Sequence, residues 1–189
     1  LVTGSTGFIG SRLIEGGAFD FRAVVRKSGT SLCDDEYPVS TFDQETDWKE
    51  ALGSVEAVVH LAGIAHRKNP SPGDFLAFNY RATVNLASQC AERGVKRFVN
   101  ISSIGVNGRS TSGTPFSEMM SARPHDDYAA SKFEAENALN EIAASTGLEV
   151  VNVRPTLVYG FNAPGNFGAL SKLIRLAPCL PFGLLKNRR

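Results

Sequence analysis

A tyrosine and a lysine stand four residues apart in the segment YAASK, at Tyr128 and Lys132. The residues that follow, up to position 145, are rich in alanine and glutamate, which predicts a helix. Residues four apart lie on one helix face, so the Lys132 ammonium can stand beside the Tyr128 phenol. A free tyrosine has a pKa of about 10, and a neighbouring cation lowers that pKa. The pair therefore predicts a group that moves a proton near neutral pH, although the same spacing also occurs on solvated helix faces.

Two serines close a short β-branched segment upstream, at Ser102 and Ser103. A hydroxyl at the end of a strand can hydrogen-bond the same substrate oxygen that a proton-transferring tyrosine addresses. Both serines are candidates for that role.

Three glycines at the start of the chain, Gly4, Gly7 and Gly10, separate a strand end from a predicted helix over residues 8–16. Gly4 permits the tight turn, Gly7 allows a pyrophosphate to approach the backbone, and Gly10 allows close packing of helix on strand. A helix N-terminus offers free N–H groups and partial positive charge to an anion. The pattern predicts a dinucleotide site, with a plain structural turn as the alternative. Thr6, Phe8 and Ile9 belong to the same predicted site.

Strands and helices alternate along the whole chain. This alternation predicts an α/β fold in which right-handed crossovers build a doubly wound parallel sheet of the Rossmann type. Predicted strands lie at 1–3, 21–26, 39–42, 55–61, 97–102 and 148–153, predicted helices at 8–16, 45–52, 74–93, 128–145 and 166–176, and a predicted loop at 103–127.

Composition excludes several classes of function. The net charge is +1, which is too small to attract nucleic acid or an acidic membrane surface electrostatically. The longest apolar stretch, residues 57–65, is far shorter than the ~18 residues of a membrane span. The three cysteines lie far apart and each of the three histidines is isolated, so neither a metal site nor a disulfide framework is expected. Free thiols favour a cytoplasmic protein.

The motifs together resemble those of the extended short-chain dehydrogenase/reductase family, in the group of NAD-dependent nucleotide-sugar epimerases and dehydratases. The resemblance runs through TGSTGFIG, HLAG, NYRATVNLA, NISSIGVNG, YAASK and VRPTLVYG, in order and over essentially all of the chain. It implies that Ser103, five residues before Gly108, is the catalytic serine, with Tyr128 and Lys132. It also implies hydride transfer between a nicotinamide cofactor and a sugar carbon. Further cofactor contacts implied by the resemblance are Leu61, Ala62, Gly63, Asn79 and Pro155.

The second strand is followed by Arg26 and Lys27, where NAD enzymes usually carry an acidic residue. Because a guanidinium suits a 2′-phosphate, we expect NADP rather than NAD. The alternative is that Arg26 is a solvated strand end, or stacks on adenine while NAD binds. Asp43 resembles the aspartate that contacts adenine in this family, or else it caps a helix over residues 45–52.

The resemblance implies a nucleotide diphosphate sugar as substrate, with Asn166 and Arg189 among its contacts. A terminal Lys-Asn-Arg-Arg is otherwise typical of a solvated tail. Asn107 and Leu157 depart from the usual epimerase residues and favour a UDP-4-keto-sugar reductase of surface-polysaccharide synthesis. A UDP-glucose 4-epimerase with tightly bound NAD is the alternative, and a dehydratase ranks third. A regulatory module that only binds NAD(P) remains open from a different class of protein, although such modules typically lack the Tyr–Lys pair.

We expect an NAD(P)-binding domain over residues 1–160 and the beginning of a substrate-binding portion over residues 161–189. The start at Leu1 and the stop at Arg189 lead us to expect a chain shortened at both ends, with little activity alone. Relatives often pair through the catalytic helix, so a homodimer is among the expected assemblies.

Overall fold

The computed structural model describes residues 1–65, 70–111 and 113–176, leaving aside the side chain of Asn166. Six strands form one sheet in the order β3-β2-β1-β4-β5-β6, and each neighbouring pair is parallel. This order reverses direction between β1 and β4, as in dinucleotide-binding folds. The predicted doubly wound sheet is confirmed. The strands are β1 (Val2–Thr3), β2 (Arg22–Val25), β3 (Asp35–Pro38), β4 (Ala57–His60), β5 (Arg97–Ile101) and β6 (Glu149–Val153).

The helices follow the predicted segments closely. A capping box between Ser71 and Asp74 starts the second helix, and the Asp126 carboxylate starts the fourth by accepting from the Ala129 N–H at 2.7 Å. The helices are α1 (Phe8–Glu15), α2 (Pro72–Phe75), α3 (Ala82–Glu92), α4 (Asp127–Ser145) and α5 (Gly165–Leu176), with a π-helical segment at Leu76–Arg81 and a 3₁₀ turn at Ile104–Val106.

The main core lies where α3 and α4 pack on the sheet. Trp48, Leu86, Phe98 and Leu139 are fully buried there. These large apolar side chains fix the height of both helices above the sheet. The C-terminal ends of β1, β4 and β5 lie at the same edge of the sheet, because these strands are parallel neighbours.

Two predicted elements differ from the structure. The strand expected at 39–42 lies instead at Asp35–Pro38, where a polar strand pairs with β2 at the edge of the described sheet. Such a strand lacks the apolar pattern that a sequence can reveal. The prediction of a helix at 45–52 was wrong, since this segment forms turns.

Side chains of α3 explain why residues 45–52 do not form a helix. The Gln89 side chain accepts from the Trp48 N–H at 2.7 Å. The Asn85 amide donates to the Thr46 carbonyl at 2.8 Å. Backbone groups that a helix would pair internally are satisfied by tertiary contacts, which override local propensity.

None of the helices within the described part of the chain is both long and apolar enough to span a membrane.

Candidate active site

A cavity of about 730 Å³ opens where the strand order reverses. Parallel sheets of this order bind ligands at this point, beyond the C-terminal ends of the strands. The predicted site residues that line the cavity are Gly4, Gly7, Phe8, Ile9, Gly10, Leu61, Gly63, Ser103, Tyr128, Lys132 and Pro155.

The glycine turn forms one wall of the cavity. Its backbone is packed so closely against neighbouring backbone that side chains would not fit at Gly4 and Gly10. A Cβ on Gly10 would lie 2.3 Å from the Gly4 carbonyl oxygen. Gly4 has a φ of 69°, and a Cβ there would lie 2.8 Å from the Ala62 nitrogen. Helix α1 begins directly after Gly7, so its first N–H groups point toward the cavity. This arrangement can hold a pyrophosphate.

The segment after β4 forms the opposite wall and is held by Asn79. The buried Asn79 side chain accepts from the Ile64 N–H at 2.8 Å and donates to the Ile64 carbonyl at 3.0 Å. Its amide also donates to the Ser131 hydroxyl on α4 at 3.1 Å. Asn79 therefore joins the cofactor-side loop to the helix that carries Tyr128. Its place in the π-helical segment, a feature that is frequent at functional sites, brings its side chain inward.

A buried histidine supports the same wall from below. His60 Nδ1 lies 2.7 Å from the Thr3 hydroxyl, and Nε2 lies 2.9 Å from the Thr83 hydroxyl. The Thr83 hydroxyl donates to the Asn79 carbonyl, so we assign the imidazole proton to Nε2. Burial, with a smaller contribution from the Lys132 charge, lowers the pKa of His60 to about 3. His60 is therefore a neutral, fully buried residue of the core.

Ser103 and Tyr128 meet across the cavity floor. Ser103 precedes the 3₁₀ turn, and its hydroxyl accepts from the Gly105 N–H at 3.1 Å. The Ser103 side chain also acts on the Tyr128 phenol, where it lowers the pKa. The Ser102 hydroxyl is buried without a hydrogen-bond partner among the described residues. Of the two serines, Ser103 is the one that addresses Tyr128.

Lys132 lies one turn after Tyr128 on α4, as its spacing predicts. Its side chain is buried, and Nζ donates to the Ile101 carbonyl at 2.9 Å. A Cβ on Gly63 would lie 3.3 Å from Nζ, so the ammonium stands against the cofactor-side loop. Burial lowers the pKa of Lys132 to about 8, and the charge of Glu136 opposes this shift.

The acidity of Tyr128 differs from the sequence prediction. The sequence predicts a pKa below the ordinary value, whereas burial raises the pKa of Tyr128 in the protein alone, and the Asp126 charge adds to the rise. The Ser103 side chain acts in the opposite direction but has the smallest of the three effects. Burial raises the pKa because desolvation disfavours the phenolate, and the Lys132 charge is not among the causes of the shift. The isolated protein therefore holds Tyr128 as a neutral phenol at neutral pH.

Arg26 and Lys27 lie beside the glycine turn but do not line the cavity. The Ser5 hydroxyl donates to the Val24 carbonyl at 2.9 Å, which brings the end of β2 next to that turn. Both cationic side chains are exposed there. This position is open to the adenosine half of a dinucleotide.

Asp43 organises a local turn. Its carboxylate accepts from the Glu45 N–H at 2.9 Å and from the Thr46 hydroxyl at 3.1 Å. These bonds, led by that from Glu45, lower the pKa of Asp43. Asp43 therefore stabilises a turn and does not cap the helix that the capping alternative assumed.

Five further predicted residues lie outside the cavity lining or outside the description. Thr6 is exposed, and Ala62 and Asn79 stand behind the wall. Asn166 falls at the start of α5, but its side chain is not described, and Arg189 lies outside the described residues.

Sequence reasoning missed part of the lining. Phe75 packs edge-on against the Tyr128 ring, with centroids 6.0 Å apart. Asp126 and Asp127 line the cavity as well, and the N-cap position of Asp126 was a usable signal. The other missed lining residues are Ile64, Ala65, Ile101, Thr156, Val158, Pro164 and Gly165, and the lining also includes Leu157 and the second serine candidate, Ser102.

These residues fit a nicotinamide dinucleotide. The glycine walls leave backbone exposed where a Cβ would clash, α1 offers N–H groups, and a lysine and a tyrosine converge on the far end. Across the described ranges, no cluster of three His, Cys, Asp or Glu side chains is placed to hold a metal ion.

Comparison with known proteins assigns this chain to a family. The model of the NAD dependent epimerase/dehydratase family matches residues 1–189. A UDP-glucose 4-epimerase of Vibrio cholerae is 37% identical over 199 aligned positions, covering 100% of this chain and 61% of that protein.

Solved structures agree on the fold. MoeE5 in complex with UDP-glucuronic acid and NAD superposes with a TM-score of 0.78 at 29% identity, over 92% of this chain and 59% of that one. The UDP-glucose 4-epimerase of Thermus thermophilus in complex with NAD gives a TM-score of 0.78 at 26% identity, over 91% of this chain and 60% of that one. This chain thus spans about three fifths of the length of the relatives it matches. It belongs to the NAD dependent epimerase/dehydratase family of enzymes.

Proposed function

We propose that this protein oxidises and reduces the C4 position of a UDP-sugar with a bound nicotinamide dinucleotide, and that its first candidate reaction is 4-epimerisation. The observation that carries the proposal is the meeting of Ser103, Tyr128 and Lys132 in the cavity that the glycine turn closes. The Vibrio cholerae relative is named a UDP-glucose 4-epimerase, and two of the structural neighbours hold both NAD and a UDP-sugar. These names support the same substrate class here.

In this proposal, Tyr128 exchanges a proton with the C4 hydroxyl of the sugar, and Ser103 orients that oxygen. The bound dinucleotide supplies hydride acceptance and return. Ser103 suits its role because the Gly105 N–H fixes its hydroxyl at 3.1 Å. Phe75 holds the Tyr128 ring from the side. Both hydroxyls are thus positioned before substrate arrives, which reduces the entropic cost of the reaction.

Charge near the phenol decides when Tyr128 accepts a proton. Burial raises the pKa of Tyr128 in the isolated protein, so the phenolate requires added positive charge. The Lys132 ammonium is already present when that pKa is raised, so the further charge would come from the oxidised nicotinamide ring. Tyr128 therefore becomes a proton acceptor only when the oxidised cofactor is bound. This coupling suits a site that must first remove a hydride and then return it.

A UDP-4-keto-sugar reductase is the second candidate function. Arg26 supports it, since an exposed guanidinium beside the glycine turn suits the 2′-phosphate of NADP. A net reductase consumes NADPH, whereas an epimerase returns its NAD unchanged. The two candidates therefore differ in cofactor and in stoichiometry.

The first experiment incubates purified protein with UDP-glucose and, separately, with UDP-N-acetylglucosamine, and identifies the product sugars. Epimerisation predicts the C4 epimer without net change in cofactor absorbance. Oxidation of added NADPH by a UDP-4-keto-sugar, with no epimer formed, favours the reductase. Absence of both reactions in the full-length protein contradicts the proposal.

The second experiment titrates NADH and NADPH separately by calorimetry, in the parent protein and in Arg26→Ala. Preferential NADPH binding that is lost in Arg26→Ala supports the reductase. A matched control is Arg12→Ala, because Arg12 is an exposed cation on α1 that pairs with Glu15. Preference for NADH, unchanged in Arg26→Ala, leaves the epimerase as the function.

We further propose that residues 1–160 form the dinucleotide-binding domain and that residues 161–189 begin the substrate-binding portion. The cavity supports this division because Pro164 and Gly165 close its far side. A homodimer and a cytoplasmic location also stay predictions.

A further inference from the structure

An ion pair joins Glu136 on α4 to Arg154. Glu136 is one helical turn after Lys132 on α4, and it is 3% exposed. Both of its carboxylate oxygens accept from Nε of Arg154, at 2.9 and 3.1 Å. Arg154 directly follows β6 and precedes the cavity-lining Pro155. A buried carboxylate held this way carries its charge next to the candidate site.

The same arginine continues to the loop that follows Ser103. Its Nη1 donates to the Asn107 side-chain oxygen at 3.1 Å. The Asn107 amide donates in turn to the Ser117 carbonyl at 3.2 Å. The Asn107–Arg154–Glu136 chain thus joins three parts of the molecule: the loop after Ser103, the end of β6, and α4.

The charges around Lys132 come from several elements. Tyr128 and Glu136 lie on its own helix, and the Lys132 charge acts on neutral His60 on β4. The end of β5 presents the Ile101 carbonyl to Nζ. Arg154, after β6, contacts Glu136. Glu136 is therefore the negative charge that favours the ammonium, and Arg154 is the cation that moderates it.

A Glu136 carboxylate paired directly with Lys132 would both stabilise the charge of the ammonium and pull it out of position. The pairing of Glu136 with Arg154 separates these two effects. Because Arg154 engages both oxygens of Glu136, the carboxylate does not draw the Lys132 ammonium away from the Ile101 carbonyl and the cavity. The field of the carboxylate nevertheless reaches the ammonium across one helical turn. The ammonium stays charged and stays directed at the cavity.

We propose that Glu136, held by Arg154 and Asn107, is a positioning residue that sustains the charge of Lys132 while leaving its ammonium free to face the cavity. The proposal rests on the proposed roles of Tyr128 and Lys132. Its test does not require substrate or turnover, so it can fail independently of the proposed reaction.

The experiment follows the protonation of Lys132 by carbon NMR, in cofactor-free protein labelled at lysine Cε. The Lys132 signal is identified by its loss in Lys132→Met. Glu136→Gln removes the favourable charge, so the pKa of Lys132 is expected to fall from about 8 to about 7. Arg154→Met removes a cation and leaves Glu136 unmoderated, so the same pKa is expected to rise to about 9.

Opposite directions distinguish this role from a purely structural one. A loosened helix would admit water in either variant and raise the pKa of Lys132 toward its ordinary value in both. The double variant Glu136→Gln/Arg154→Met removes both charges, so the pKa of Lys132 is expected to return to about that of the parent. This variant provides a second test if Arg154→Met alone does not fold. Arg154→Lys keeps a cation beside Glu136 and is expected to match the parent. An unchanged or raised pKa in Glu136→Gln overturns the proposal.

Discussion

Protonation of His60 sets a limit on the acid stability of this fold. The imidazole is fully buried between Thr3 and Thr83, and each ring nitrogen has a hydroxyl partner. The Thr83 hydroxyl already donates to the Asn79 carbonyl, so the ring uses one N–H and one lone pair. A second proton would remove the acceptor that the Thr3 hydroxyl needs. The native state therefore holds His60 neutral.

The magnitude follows from linkage between proton binding and folding. The pKa of His60 is about 3 in the folded protein and about 6.5 in the unfolded chain. Between these values the unfolded chain binds one more proton, so stability is complete above pH ~6.5 and is lost as pH falls. From pH 7.5 to pH 5.0, the expected loss from this residue is about 2 kcal/mol.

Urea unfolding at the two pH values measures this contribution. The parent is expected to lose about 2 kcal/mol of unfolding free energy on acidification, and His60→Gln is expected to lack that part of the loss, although it starts from lower stability. His125→Gln is the matched control, because His125 lies largely outside the core, and it keeps the parent's dependence. An equal pH dependence in His60→Gln and in the parent would refute the assignment of a neutral buried imidazole.

Three further predictions concern the cavity walls. Gly10→Ala places a methyl group 2.3 Å from the Gly4 carbonyl oxygen and is expected to weaken dinucleotide binding by about 100-fold or more. The control Gly16→Ala, at the end of the same helix, is expected to bind as the parent does. Equal affinities of the two variants by calorimetry would contradict this prediction. Asn79→Leu leaves the Ile64 backbone groups unpaired and is expected to cost about 2 kcal/mol or more of unfolding free energy. The control Asn137→Leu, on the exposed side of α4, is expected to cost little. A similar small loss in both variants, measured by urea unfolding, would contradict a stabilising role for the Asn79–Ile64 hydrogen bonds. Gly63→Ala places a methyl group 2.9 Å from the Asn79 side-chain oxygen and 3.3 Å from Lys132 Nζ. The carbon NMR signal of Lys132 Cε is therefore expected to shift. An unchanged signal would contradict the contact between residue 63 and Lys132.

The sheet and the glycine turn were predictable because their signals are local. β-branched runs mark buried parallel strands, and three glycines at fixed spacing mark a turn that tolerates no side chains. The Tyr128–Lys132 spacing likewise predicted one helix face. In each case neighbouring residues in sequence also determine the geometry.

The elements that were missed depend on distant contacts. Residues 45–52 form turns because Gln89 and Asn85 take their backbone groups, and no short window of sequence contains that information. The polar β3 is a strand only because β2 offers it an edge. The raised pKa of Tyr128 reflects burial by elements such as Phe75, which only the assembled fold reveals. The Asn107–Arg154–Glu136 chain joins residues up to 47 positions apart.

The central claim is that Tyr128 transfers the proton that accompanies hydride transfer. Its most direct test compares nucleotide-sugar turnover and NAD affinity in the parent, in Tyr128→Phe, and in Tyr37→Phe, a control on β3 outside the cavity lining. We expect Tyr128→Phe to lose at least about 100-fold in turnover with NAD affinity nearly unchanged, and Tyr37→Phe to retain both. Turnover in Tyr128→Phe equal to that of the parent would contradict the account.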